Sequence, residues 1–324
     1  MEDYAMINRR GIILAQDELD EIWEKRIIDA DINVLGLGPD FRVISPEDMS
    51  KMLTEGEFGA RIQRLKAHGV EIEWEFHALC LMLPRDLFET HPEYFRVNDE
   101  GVRTADFNLC ASSEEGLERL SQGAEEMAKF FFTENGRYHI WLDDTAKSAC
   151  YCDKCKDLSR ADQALITYNA ILRGLKRYDP NAKLCYLAYH DANAVPTKVK
   201  PEPGIFLEYA PFTREFDTPI YNTESEKNER EHRYLKDLLA LFGTEGSQVL
   251  DYWLDNSLFS DWKKPPKEFK MHKETMLADI KYYYDLGFET ITAYGCYLGK
   301  EYMELYDDPT EHILAYGKAL KDVH

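Results

Sequence analysis

Residues 141–155, WLDDTAKSACYCDKC, carry two kinds of reactive side chain close together. Asp143 and Asp144 close a short apolar run. Adjacent carboxylates suit general acid–base work, because the charge of one raises the pKa of the other and lets it carry a proton nearer neutral pH. The plainer alternative is that one acid positions a loop while the other is solvated. Cys150, Cys152 and Cys155 follow in C-x-C-x-x-C spacing, three soft thiolates for which zinc is the natural metal. Tetrahedral zinc needs a fourth ligand, and Cys110 in NLCASS is the candidate. A four-cysteine set is closed to water, so it staples a loop and does not hydrolyse anything. A catalytic zinc would instead draw on His or carboxylate ligands, and His77 and His190 do not stand in H-x-x-H spacing. Reduced thiols without a metal are the remaining reading.

Such residues need elements to hold them. Short apolar runs alternate with longer helical patterns along the chain: GIIL (11–14), INVLGL (32–37), EIEWEFH (71–77), YHIWLDD (138–144), KLCYLAYH (183–190), GIFLEYA (204–210), SQVLDYWL (247–254) and ETITAYG (289–295). Helices are expected near 17–30, 56–68, 113–133, 160–178, 226–242, 266–286 and 310–323. Eight βα units in 324 residues predict an α/β chain folded as a single (β/α)8 TIM barrel over 1–324. A doubly wound sheet is the rival, but GIILAQDE lacks the Gly-rich phosphate turn such a sheet carries after its first strand.

Barrels of this kind place their chemistry at the C-terminal ends of the strands. The residues expected there are His77, Asp143, Asp144, Tyr189, His190, Asp191, Glu208, Tyr209, Asp251, Tyr252, Trp253 and Tyr294. Carboxylates among aromatic rings suit a sugar, whose faces stack on rings while its hydroxyls bond to acids. Glu208 and Asp251 lie inside strands, either facing a ligand or partnering buried Arg or Tyr groups. Trp253 and Trp262 either form a sugar platform or pack a loop.

The charge, 39 basic against 60 acidic residues for a net −21, disfavours nucleic acid and anionic membranes as partners. No apolar run approaches the ~18 residues of a membrane helix. MEDYAMINRR does not read as a signal peptide, and seven cysteines, three of them clustered, suit a reducing cytoplasm better than a disulfide framework.

The ordered set HPEYF (91–95), NLCASSEE (108–115), Asp143-Asp144, CYCDKC (150–155), LEYAPF (207–212) and LDYW (250–253) resembles the domain-of-unknown-function family 4838, part of which is glycoside hydrolase family 163. The resemblance covers roughly 70–300 and implies a (β/α)8 barrel acting on β-linked N-acetylglucosamine-containing glycans. Relatives often have Asn-Asp at the acid pair, and many carry further domains. The cysteines are also similar to those of family 42 β-galactosidases, which implies a structural, non-catalytic zinc on Cys110, Cys150, Cys152 and Cys155. The expectation is therefore a retaining glycoside hydrolase with an oligosaccharide substrate and no organic cofactor. In it the substrate's own acetamido oxygen is the nucleophile, Asp143 orients that group, and Asp144 is the acid/base. The alternatives are a non-catalytic carbohydrate-binding barrel, a zinc-dependent hydrolase, or a glycosidase using Asp251 or Glu208 as nucleophile.

Overall fold

The structure, a computed structural model, describes residues 7–38 and 44–324. Eight parallel strands close a barrel in the order β1 to β8: β1 Arg9–Ala15, β2 Val34–Gly38, β3 Glu71–His77, β4 Arg137–Trp141, β5 Lys183–Ala188, β6 Ile205–Tyr209, β7 Gln248–Asp251 and β8 Thr290–Tyr294. The expected (β/α)8 fold is the observed one. Strands covered on both faces read as continuous apolar runs, which is why they were legible. β4 and β6 are buried at every position.

Two boundaries differ from expectation in ways that matter for function. β4 ends at Trp141, so Asp143 and Asp144 lie in the loop beyond it, free of the strand's alternation. The helix expected over 226–242 is two helices, Glu226–His232 and Leu235–Phe242.

Contacts group the chain into two compact units. One takes in Met1–Trp74, Tyr209–Leu235 and Thr244–His324. In it β1 pairs with β2 (Ile12 opposite Leu35) and with β8 (Ile12 opposite Ala293), and β7 pairs with β8. Gly11 must be glycine there, because a Cβ would stand 2.4 Å from the Thr292 methyl. Asp20 opens the helix Glu21–Asp29 by accepting from the N–H groups of Ile22 and Trp23.

The other unit is Glu75–Glu208 with Lys236–Gly243. Here β3 pairs with β4 (Phe76 opposite Ile140) and β4 with β5. Ser113 and Ser159 cap the helices Glu114–Ala128 and Arg160–Tyr178. These helices approach so closely that a Cβ on Gly174 would lie 2.0 Å from the Ser121 carbonyl oxygen. Among the described residues no helix is long and apolar enough to cross a membrane.

Candidate functional site

Three strand ends meet a cleft of about 570 Å³, counting the space open to solvent. His77 ends β3, Asp143 lies two residues past β4, and Tyr189 and His190 follow β5; all four line the cleft. This is where a barrel places its chemistry.

The two acids stand in different settings. Asp143 is ion-paired with Arg85, and its side chain is only 15% exposed. Its carboxylate also accepts from the Asn108 N–H, while its own N–H donates to Asn108 Oδ1 at 3.0 Å. Asn108 reaches this reciprocal pairing with φ near 41°, a left-handed conformation that Asn tolerates better than most residues. Asp144 is 59% exposed. Its Oδ1 accepts from the Tyr189 hydroxyl at 3.1 Å and lies 3.5 Å from His190 Nε2. The Tyr189 and His190 rings are 3.9 Å apart at their centres, so one small group braces the acid.

The expectation that Asp143 raises the pKa of Asp144 is corrected. The hydrogen bond from His190 holds the Asp144 carboxyl below its usual value, outweighing burial, with His77 and Tyr189 acting in the same direction. The charge of Asp143 is matched instead by Arg85. His77 bonds through Nδ1 to the Leu142 carbonyl and packs edge-on against Trp141, which fixes its ring at the cleft.

The cysteines assemble beside this cleft. The ligand atoms of Cys110, Cys150, Cys152 and Cys155 all lie within 4.8 Å of one another. Cys110 Sγ is 3.6 Å from Cys152 Sγ and 3.9 Å from Cys155 Sγ. Those separations are far too long for a disulfide. They match the ~3.8 Å edge of a tetrahedron with Zn–S bonds of ~2.3 Å, so the donor set fits zinc. Gln163 braces the loop, accepting from the Cys150 N–H at 2.8 Å and donating to the carbonyls of Cys150 and Cys155. Cys110 is two residues from Asn108, so the cluster anchors the segment that holds Asp143.

The other expected residues go elsewhere. Glu208 is fully buried in β6, accepting from Trp141 Nε1 at 2.9 Å and bonding to His139 Nδ1 at 3.1 Å. It does not line the cleft. Asp251 is also fully buried, between Arg214 Nη1 at 3.0 Å and the Tyr283 hydroxyl at 3.0 Å. Trp253 is buried and donates to Asp279 at 3.0 Å, and Asp279 pairs with Arg214 at 2.6 Å. Tyr209 is buried with its hydroxyl on the Glu231 carbonyl. Tyr294 stacks on Tyr252 at 5.6 Å. Trp262, by contrast, is 57% exposed. Thus Asp251 takes the buried-partner role, and Trp253 packs a core.

Sequence reasoning missed Arg85 and Asn108, whose roles depend on contacts 58 and 35 residues away. It also missed Glu18, which follows β1 and whose carboxyl burial pushes up to about 7. Asn108 did stand in the NLCASS motif, and that was the one available signal.

Residues 49–304 match the family described as "Domain of unknown function (DUF4838)". No curated protein matches the sequence. Among solved structures, a glycoside hydrolase family 5 enzyme from Prevotella bryantii B14, in complex with a xyloglucan tetradecasaccharide, is similar at TM-score 0.53 and 12% identity, over 99% of each chain. Gan42B, a GH42 beta-galactosidase, is similar at TM-score 0.51 and 13% identity, over 98% of this chain and 56% of that one, so this chain spans little more than half its length. A glycoside hydrolase family 20 beta-N-acetylglucosaminidase is similar at TM-score 0.50 and 10% identity, over 98% of this chain and 70% of that one. At such identities the likeness is one of fold.

Proposed function

The chain belongs to the DUF4838 family, and from that premise we propose that it is a retaining glycoside hydrolase acting on β-linked N-acetylhexosaminide oligosaccharides. One observation carries this reading: of two adjacent carboxylates, Asp143 lines the cleft, fixed by Arg85 and Asn108, and Asp144 stands open to solvent at its edge, bonded to the cleft residue Tyr189 and beside His190. Substrate-assisted cleavage asks for that division of labour. The substrate's acetamido oxygen attacks the anomeric carbon. Asp143, immobile, accepts from the acetamido N–H and keeps that oxygen aimed. Asp144 gives its proton to the leaving glycosidic oxygen, and then takes one from the water that opens the cyclic intermediate.

Asp144 in the free protein holds its proton weakly, which works against this role. A bound sugar offsets the problem in two ways. It covers the exposed carboxylate, and desolvation raises a carboxyl pKa. It also competes for His190, removing the largest lowering influence. His77, Tyr189 and His190 supply hydroxyl contacts along the cleft. The four cysteines would hold zinc as a closed, structural site with no position for water, and reduced thiols of this kind suit the cytoplasm.

The low pKa of Asp144 favours one second reading, a carbohydrate-binding barrel in which both acids only accept hydrogen bonds from hydroxyls. Incubation with an aryl N-acetyl-β-glucosaminide and with a chitobiose-core oligosaccharide separates the two. Release of the aryl alcohol or of a shortened glycan is expected. Saturable binding of the oligosaccharide without turnover of either compound would overturn the hydrolase in favour of the binding module.

A further inference from the structure

Glu208 is the strand-end carboxylate that the cleft leaves out, yet its bonds lead back to the cleft. Its side chain is fully buried, and its partners His139 and Trp141 are buried with it. One oxygen, Oε2, accepts from both Trp141 Nε1 at 2.9 Å and His139 Nδ1 at 3.1 Å. Burial pushes the Glu208 carboxyl up, but His139 and Trp141 outweigh it and hold the carboxyl below its usual value, so it only accepts. Burying a carboxylate is costly, and hydrogen bonds of this kind are what make it tolerable.

Trp141 is the last residue of β4, and the chain from there to Asp143 is held bond by bond. Glu208 holds the Trp141 indole. The Trp141 carbonyl accepts from the Ala78 N–H at 3.2 Å, and the next carbonyl, of Leu142, is bonded to His77 Nδ1. Asn108 and Arg85 then hold Asp143 itself. His77 stands opposite Trp141 in the register of β3 and β4, and their rings meet edge-on with centres 5.2 Å apart. A carbonyl only accepts, so Nδ1 of His77 carries the proton. In the neutral ring the remaining polar atom, Nε2, then has a lone pair to offer a ligand in the cleft that His77 lines.

We propose that Glu208 is a positioning residue of the cleft. By holding the Trp141 indole it keeps His77 on the Leu142 carbonyl, with Nε2 set to accept from a sugar hydroxyl, and it steadies the segment that carries Asp143. Without an acceptor at position 208 the buried indole N–H is left unsatisfied, and turning the ring is its way out. A turned indole no longer backs the His77 ring. The sugar and the effect on rate rest on the glycosidase reading; the ordering of His77 does not.

The test reads the imidazole ¹⁵N and N–H signals of the labelled protein, with His77→Gln assigning the His77 ring. In the wild type the Nδ1–H, bonded to a carbonyl, should be shielded from exchange with water and visible, and Nε2 should be bare. In Glu208→Leu the Nδ1–H signal should be lost to exchange, and kcat/KM on a chitobiose-core oligosaccharide should fall by about tenfold or more. Glu208→Gln should restore the signal and most of the rate, because one amide oxygen can take both donors as Oε2 does. If Glu208→Leu does not fold, Trp141→Phe decides: it keeps a ring beside His77, removes the N–H, and should lose the same signal. A Nδ1–H signal that persists in the folded variant, a wild-type ring protonated on Nε2, or equal losses in Glu208→Gln and Glu208→Leu would overturn the inference. A protein that cleaves no glycoside but still loses the His77 signal in Glu208→Leu keeps the positioning role and removes only the hydrolase reading.

Discussion

Asp143 and Asp251 each come at or just past the end of a barrel strand, next to a tryptophan within two residues, and each is paired with an arginine. Their settings are opposite. Around Asp251 everything is enclosed: Arg214, Asp251 and Asp279 have no exposed side-chain surface, and Arg214 bonds to Asp251, Asp279 and the carbonyls of Glu215 and Thr218, all in its own unit. Around Asp143 the pairing is lopsided, with the adjacent Asp144 left open to solvent while Asp143, Asn108, Tyr189 and His190 line a cleft. The same residue types therefore build a closed core brace in one unit and, in the other, an open group that the proposed function takes as its chemical site. A closed network binds nothing because its hydrogen-bonding capacity is already spent, whereas an open one retains capacity for a ligand.

Breaking the closed network should give the largest effect, and on stability alone. Arg214→Met leaves two buried carboxylates without their cation, and breaking such a pair costs about 3–5 kcal/mol. Asp279, already pushed up to about 6 by burial, should then take up a proton near neutral pH. Urea unfolding should show the loss, and a change within 1 kcal/mol would contradict the enclosed reading.

Arg85→Ala probes the open site. The fold should survive, because Arg85 is partly exposed. Asp143 loses one of its two anchors, and misplacement of a catalytic group by about 1 Å can cost on the order of 10²-fold in rate. Steady-state kinetics with kcat unchanged would mean that Asp143 needs no fixing.

Next comes the cysteine cluster. Elemental analysis should find one zinc per chain, and Cys152→Ser should lower stability by on the order of 1–3 kcal/mol. Chelation should slow turnover gradually as the segment around Asn108 relaxes. Immediate loss of turnover with the loop intact would instead mark the metal as catalytic.

The smallest expected effect is a shift in pH dependence. A depressed pKa means that Asp144 loses its proton at lower pH than an ordinary carboxyl, so the alkaline limb of kcat/KM should lie on the acid side. The limb of kcat, which reports the bound complex, should lie higher because substrate covers the carboxyl. His190→Ala removes the main lowering influence and should move the kcat/KM limb up in pH. A limb that stays in place would detach Asp144 from the profile.

The barrel was legible because its strands are buried runs such as YHIW and GIFLEYA, separated by amphipathic helices and Gly or Pro-Asn turns. The acid pair and Cys150, Cys152 and Cys155 were legible because their spacing is local, whereas His77 and His190 stood out only as polar residues at strand ends and Cys110 only through its motif. What could not be read was which strand-end acid would be enclosed. Asp251 is closed off by Arg214, 37 residues earlier, and by Tyr283, 32 residues later. Glu18 owes its raised pKa to burial, which outweighs the lowering hydrogen bond from the backbone N–H of Tyr297, 279 residues away. The sign of the Asp144 shift failed for the same reason, because His190, with His77 and Tyr189, decides it and none of these pairings follows from two adjacent letters.

The central claim, that Asp144 is the proton donor at an otherwise fixed acid pair, is tested most directly by Asp144→Asn on two substrates. On a chitobiose-core oligosaccharide, whose leaving group needs a proton, kcat should fall by ~10²–10⁴-fold. On an aryl N-acetyl-β-glucosaminide, whose leaving group departs with little help, the fall should be much smaller, while Asp143→Asn should harm both alike. Near wild-type turnover of the oligosaccharide by Asp144→Asn would contradict the account.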